Sequence, residues 1–181
     1  MARYRQQDND AFRSILKSFH DSDLAKLARA LKEKIRGEVR FDDGSRAIYA
    51  HDASNYRQVP LGVVIPKSAD AIEEIVRLCC EFDAPILSRG AGTSIAGQSC
   101  NAAVILDLSK YVNRVLSIDP ELRQAVIEPG TVLDHLQAKA AEHGLIFGPD
   151  PATHNRCTLG GMIGNNSCGI HSLTGGKVVE N

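Results

Sequence analysis

No stretch of this sequence approaches the roughly 20 apolar residues of a membrane-spanning helix, so no such span is expected. The opening, MARYRQQDNDAF, is polar and charged with no apolar run behind it, and so lacks the pattern of a secretory signal. An excess of either charge is missing too. The formal net charge of -1 gives no global attraction to nucleic acid or to anionic lipid. Nor do the cysteines suggest a disulfide framework. Cys79, Cys80, Cys100, Cys157 and Cys168 are odd in number and come without an export signal, which predicts free thiols. The expected location is the cytoplasm, with peripheral contact at an inner membrane left open.

What is present suits a globular protein: 181 residues, 43% hydrophobic and 24% charged, enough to bury a core without staples. Two helices are expected first. Phe12, Ile15, Leu16 and Phe19 recur at helical spacing, as do Leu24, Leu27, Ala28, Leu31 and Ile35, with Gly37 as the stop. Residues 41–58 read as a connection or edge hairpin turning at Asp42, Asp43 and Gly44. The short apolar run LGVVIP follows. A helix is then expected from Ala69 to Phe82, capped by Ser68 or Asp70, with Ile72, Ile75, Val76 and Cys79 on its inner face. APILS and AAVILDLS are two more unalternating apolar runs, and strand–helix–strand with such strands is the pattern of a βαβ unit covered on both faces. Residues 112–118 and 124–128 read as a hairpin around Asp119 and Pro120. Thr131 with Asp134 reads as a capping box for a helix ending at His143, stopped by Gly144.

Two glycine-rich segments carry the functional signal. The first, SRGAGTSIAGQS at residues 88–99, begins where a buried strand ends, the usual place for a ligand in an α/β sheet. Small residues there let several backbone N–H groups converge on phosphate oxygens. Gly90 and Gly92 begin a dinucleotide fingerprint, but Ile95 stands at its third glycine. Gly92 to Ser99 has the glycine spacing of a P-loop, but Gln98 stands where the lysine belongs, which argues against a nucleoside triphosphatase. The second segment, from Gly148 to Asn181, holds close to half of the chain's fifteen glycines and shows no clear period. Glycine at that density loses conformational entropy that close backbone approach to a ligand would offset. A strand is expected to begin at Lys177, Val178 and Val179.

In order and spacing, ASNYRQVPLGVVIPKS, RGAGTSIAGQS and GPDPATHNRCTLGGMIGNNSCGIHS resemble the FAD-binding (PCMH-type) domain of the vanillyl-alcohol oxidase superfamily. The likeness is strongest to bacterial FAD-linked dehydrogenases of D-lactate and D-2-hydroxyglutarate, including large forms with an iron–sulfur region after the flavin part. It covers the chain from Phe41 onward. The resemblance implies an α+β fold in which a small βαβ subdomain (about 55–118) leads into an incomplete antiparallel one. It divides the chain into an N-terminal helical segment, 1–40, and an FAD-binding domain, 41–181, truncated at its C-terminus. It also implies that Arg89, Gly90, Ala91, Gly92, Thr93 and Ser94, with Gly97, Gln98 and Ser99, cradle the FAD pyrophosphate. Pro149, Asp150, Thr158, Gly160, Gly161, Gly164, Asn165, Ser167 and Gly169 would wrap the pyrophosphate and one edge of the isoalloxazine, and Val179 would approach the adenine end. Relatives with covalent flavin have a histidine where this chain has Thr93, so non-covalent FAD is implied. An aromatic usual in the large dehydrogenases is replaced near Thr174, Gly175 and Gly176. The implied reaction oxidises a D-2-hydroxy acid and passes electrons to a downstream acceptor, such as an iron–sulfur cluster or quinone. No residue of this chain is assigned as a catalytic acid or base.

Other readings compete. A sugar-nucleotide reductase shares the same FAD-binding fold. His154, Cys157, Cys168 and His171 have ligand types and spacing that a structural zinc would accept, giving a non-catalytic module. A subunit that only relays electrons through flavin is a third. Against zinc, the intervening TLGGMIGNNS offers no apolar anchor, so the four are expected to be loop and packing residues.

Overall fold

A computed structural model describes residues 21–181. The helix expected around Phe12 to Phe19 lies outside the described residues. The second expected helix, α1 (Asp21–Lys34), buries Leu27 and Leu31 completely. It ends before Gly37, which instead opens strand β1 (Gly37–Arg40). A β carbon on Gly37 would lie 2.6 Å from the Ile65 carbonyl oxygen, so this close strand approach needs glycine. A short helix, α2 (Asp43–Ile48), then replaces the expected turn, because the Asp42 side chain accepts a hydrogen bond from the Ser45 N–H and caps it.

The βαβ expectation holds, with one strand inserted. β2 (Gly62–Pro66), α3 (Ala69–Glu81) and β3 (Ile86–Arg89) follow in sequence, but β4 (Val104–Asp107) lies between β2 and β3. The sheet order is β1-β2-β4-β3, with β2, β4 and β3 mutually parallel and β1 antiparallel to β2. Every residue of β2 and β4 is buried, which explains their unalternating sequences: both faces are covered. Val64, Val104 and Leu106 pack towards α1 and α3, against Leu27, Leu31, Ile75 and Leu78. Val63, Ile65 and Ile105 point the other way, against Tyr49, Leu87 and Tyr111. In α3, Ser68 accepts from the Ala71 N–H as the cap, while Ala71, Ile75, Leu78 and Cys79 form the buried stripe. Val76, expected inside, is 41% exposed. Leu78, three residues after Ile75, takes the inner position.

The second part is built on the antiparallel hairpin of β5 (Val115–Asp119) and β6 (Gln124–Ile127). Asp119 closes its turn by accepting from the Glu121 and Leu122 N–H groups. Helix α4 (Leu133–Ala141) is shorter than expected and its capping box is not formed. The Thr131 hydroxyl donates to the Arg114 carbonyl instead, and Asp134 pairs with His154. Gly144, at φ +67, provides the expected left-handed stop. The last glycine-rich segment, which showed no period, contains helix α5 (Leu159–Asn165) and a short turn of helix, α6 (Ser172–Gly175). The strand expected at Lys177 to Val179 is a 3-10 turn, Val178–Glu180. Leu133, Leu136, Cys157, Leu159, Met162 and Val178 form the core of this part.

Candidate functional site: two glycine-rich segments in contact

The C-terminal ends of the parallel strands present Pro66, Arg89 and Asp107 at one edge of the sheet. The loop leaving β3 there is the first glycine-rich segment. Among the described residues, no backbone N–H from Ala91 to Gln98 has a protein acceptor. Such a run of unbonded donors in a folded loop is chemically suited to an anion with several oxygens. Gly92 (φ +68) and Gly97 (φ +82) hold left-handed conformations that side-chain-bearing residues adopt at a cost. The Ser94 hydroxyl is satisfied within the loop by the Gln98 side-chain oxygen.

The Arg89 guanidinium is engaged by backbone carbonyls, donating to those of Tyr49 (3.3 Å), His51 (2.7 Å) and, within the loop, Ser99 (2.9 Å). It also lies over the Tyr49 ring, 5.3 Å from the centroid. The Tyr49 hydroxyl in turn donates to the Asp107 carboxylate at 2.6 Å. Burial, and then that hydrogen bond, push the phenol's pKa far up, so it stays a donor. A β carbon on Gly92 would lie 2.6 Å from the Arg89 guanidinium, so Gly92 is fixed by both dihedral and space.

The second glycine-rich segment meets the first at two points. Thr158 caps α5, its hydroxyl accepting from the Gly161 N–H, and that hydroxyl lies directly against Gly90. The Gln98 amide donates to the Asn165 side chain at 3.3 Å. Residues of both expected groups therefore lie on the two sides of one contact. The other expected residues have separate surroundings. The Gly160 N–H donates to the Pro129 carbonyl, and a β carbon there would meet Pro129 at 2.8 Å. Gly164 faces open space. Ser167 is tied to Met162 and Val178 through its backbone. Pro149 is buried, and Asp150 accepts from the His171 backbone at 3.1 Å and pairs with its ring. Those hydrogen bonds hold the Asp150 carboxyl below its usual range. Gly169 lies so close to the Asp150 backbone that a β carbon would sit 2.2 Å from its carbonyl. Val179 is 76% exposed, and its N–H donates to the Asn166 side chain.

The zinc alternative finds no support in the arrangement. Among the described residues no group of three or more His, Cys, Asp or Glu side chains could hold a metal ion. His154 pairs with Asp134, His171 pairs with Asp150, and Cys157 is buried in the core of the second part.

A part of the site that the sequence did not signal is the 49–57 stretch of the expected polar connection: Asp52, Ala53 and Tyr56 all touch the glycine-rich loop. Asp52 accepts from the Ser99 N–H (3.3 Å) and hydroxyl (3.0 Å). Ala53 donates its N–H to the Gly92 carbonyl at 3.0 Å. A β carbon on Gly97 would meet the Tyr56 ring at 2.8 Å. Only the turn-forming D-x-S of Asp52 and Ser54 hinted at order there. A separate apolar cleft of about 770 Å³ lies over the hairpin, lined by residues such as Val126, Phe147, Ile163 and Val179. Of the expected cofactor residues it contains only Val179, and its lining does not include the unbonded N–H groups.

A parallel-stranded α/β part with a phosphate-suited loop at its carboxyl edge, joined to an antiparallel part, defines a nucleotide-cofactor domain of mixed architecture. Residues 60–181 match the family described as FAD binding domain, and the chain belongs to that family. Its α+β fold is that of PCMH-type flavoproteins. Alkyldihydroxyacetonephosphate synthase superposes with a TM-score of 0.76 at 24% identity, over 86% of this chain and 34% of that one. 6-Hydroxy-D-nicotine oxidase from Arthrobacter nicotinovorans gives 0.69 at 26% identity, over 82% and 32%. In sequence, D-2-hydroxyglutarate dehydrogenase of Pseudomonas putida is 37% identical over 145 residues, 78% of this chain and 14% of that protein. Glycolate oxidase subunit GlcD of Bacillus subtilis is 36% identical over 156 residues, 81% and 33% respectively. The chain thus spans about a third, or less, of the length of these relatives. No helix among the described residues is long and apolar enough to cross a membrane.

Proposed function

We propose that this chain holds the FAD of a flavoprotein that oxidises a D-2-hydroxy acid of the D-lactate, glycolate or D-2-hydroxyglutarate type. The observation that carries the reading is the run of unbonded N–H groups from Ala91 to Gln98, set against Thr158 and Asn165 of the second segment. The sequence similarity to D-2-hydroxyglutarate dehydrogenase (37%) and to a glycolate oxidase subunit (36%) supports this substrate class. When bound, FAD would supply a two-electron acceptor for oxidation of the carbon bearing the hydroxyl. The protein's part is binding and orientation. The loop amides would donate to the pyrophosphate oxygens, where the absence of bulky side chains permits contact. Asn165 and the backbone around Gly169 would border the flavin side, and Val179 the adenine side. Thr93 offers no ring nitrogen for a covalent bond, so the cofactor would be held non-covalently. The FAD-binding unit would be residues 41–181, and substrate contacts would come from other parts of the protein. Electrons would leave through an acceptor beyond this chain, an iron–sulfur cluster or quinone, with the enzyme in the cytoplasm or peripheral at the inner membrane.

The test is a visible spectrum of the full-length protein before and after anaerobic addition of D-lactate, glycolate and D-2-hydroxyglutarate. Bleaching of an FAD spectrum by one of them is expected. An FAD spectrum unchanged by all three would reject the substrate class.

A further inference from the structure

Outside the matched family region, residues 49–57 form a closed turn fastened to the sheet at one end and to the glycine-rich loop at the other. His51 and Arg57 pair across its base as an antiparallel bridge. Within it, Asp52 accepts from the Ser54 N–H at 2.9 Å, and Ser54 accepts from the Tyr56 N–H at 3.1 Å. Tyr49 anchors the turn to Asp107 at the end of β4. The attachments to the loop are spread along its length: Arg89 at its start, the Gly92 carbonyl in its middle, Gly97 under Tyr56, and Ser99 at its end. Between these attachments lie the amides that have no protein partner.

We propose that the 49–57 turn is a brace that sets the anion-binding loop before the cofactor arrives, with Asp52 as its positioning residue. The proposal rests on the reading of the loop as the FAD pyrophosphate site. A loop ordered in advance loses less conformational entropy on binding, so its affinity depends on what orders it. Asp52 suits this role because one carboxylate oxygen holds its own turn and the other holds Ser99. Burial raises the tendency of that carboxyl to protonate, but the hydrogen bonds from Ser54 and Ser99 outweigh it, and it remains an acceptor. Asp52 itself would not touch FAD.

The experiment compares the full-length protein with its Asp52→Ala, Asp52→Asn and Ser99→Ala variants. Two readouts are taken: hydrogen exchange at the Ala53 amide in FAD-free protein, and the FAD dissociation constant. Ala53 donates to Gly92, neither of which is altered, so its exchange reports whether the loop still sits on the brace. Asp52→Ala should raise that exchange and the dissociation constant about tenfold each, the size expected for lost hydrogen bonds to a charged group. Asp52→Asn keeps one of the two acceptor oxygens and should give values between those of the parent and Asp52→Ala. Ala53 exchange unchanged in Asp52→Ala would overturn the brace, even if FAD affinity fell. If the parent protein bound no FAD, the cofactor reading would fail, and Ala53 exchange would still decide the brace. Should Asp52→Ala not fold, Ser99→Ala, which removes a single hydroxyl, decides in its place: faster Ala53 exchange supports the brace and unchanged exchange overturns it.

Discussion

Gly90 and the Thr158 hydroxyl are in direct contact: a β carbon on the glycine would stand 2.0 Å from Thr158 Oγ1. Thr158 is 3% exposed and its hydroxyl caps α5, so it has nowhere to retreat. This contact joins the two glycine-rich segments. Gly90→Ala should therefore separate them and weaken FAD binding about five- to a hundredfold, since core overpacking costs about 1–3 kcal/mol. Adding Thr158→Ala should recover part of that affinity by removing the obstructing atom. An FAD titration of the single and double variants checks this, and equal affinity in parent and Gly90→Ala would reject it.

Gly92→Val tests the loop at a different point. The valine would need a left-handed dihedral at φ +68 and would press on the Arg89 guanidinium. For a β-branched residue the dihedral alone costs about 1–2 kcal/mol. FAD affinity should fall at least about tenfold, while far-ultraviolet circular dichroism stays unchanged because no helix or core strand is touched. Unaltered FAD affinity would remove the loop from the binding site.

Much of this architecture could be read from residues in order, because it depends on local pattern. The buried runs of β2 and β4, the Ser68 cap and the Asp119 turn each have a signature a few residues long. What escaped prediction depends on contacts distant in sequence. Gly37 looked like a helix stop, yet it is glycine because β1 passes close to Ile65. Thr131 and Asp134 matched a capping box, but Arg114 and His154 compete for their side chains. In α5, glycine-rich LGGMIGN folds as helix because Leu159 and Met162 are buried and Thr158 caps it, a tertiary gain that outweighs poor propensity. The glycine-rich segments stood out by composition, and the structure brings Gly90 against Thr158 and Gln98 against Asn165. The 49–57 brace did not stand out, since its role appears only when Asp52 meets Ser99, 47 positions away.

Metal content separates the flavin reading from the zinc one. Elemental analysis of the purified full-length protein should show no zinc bound through His154, Cys157, Cys168 and His171, so Cys157→Ser with His154→Ala should leave any metal content unchanged. A stoichiometric zinc lost in that double variant would restore the competing reading.

Glu38 gives a pH-dependent prediction away from the site. Hydrogen bonds from Lys110 (2.5 Å) and Tyr111 (2.6 Å), opposed by slight burial and aided by Arg40, lower its pKa from 4.5 to about 2. Its folded pKa is depressed, so its stabilisation is fully present above about pH 4.5 and is lost as pH falls through about 2. Glu38→Gln should cost about 0.5–1 kcal/mol at pH 7, a modest value because water screens the pair. Thermal melts of parent and variant should converge on acidification towards pH 2. A difference that persists undiminished there would contradict the assignment.

The central claim is that this chain is built to hold FAD without a covalent bond, and the direct measurement is to precipitate the purified full-length protein with acid and examine both fractions. The account predicts a yellow protein whose chromophore passes into the supernatant and is identified as FAD by mass. Flavin retained in the pellet would contradict the non-covalent site at Thr93, and a full-length protein that neither carries nor takes up FAD would contradict the function itself.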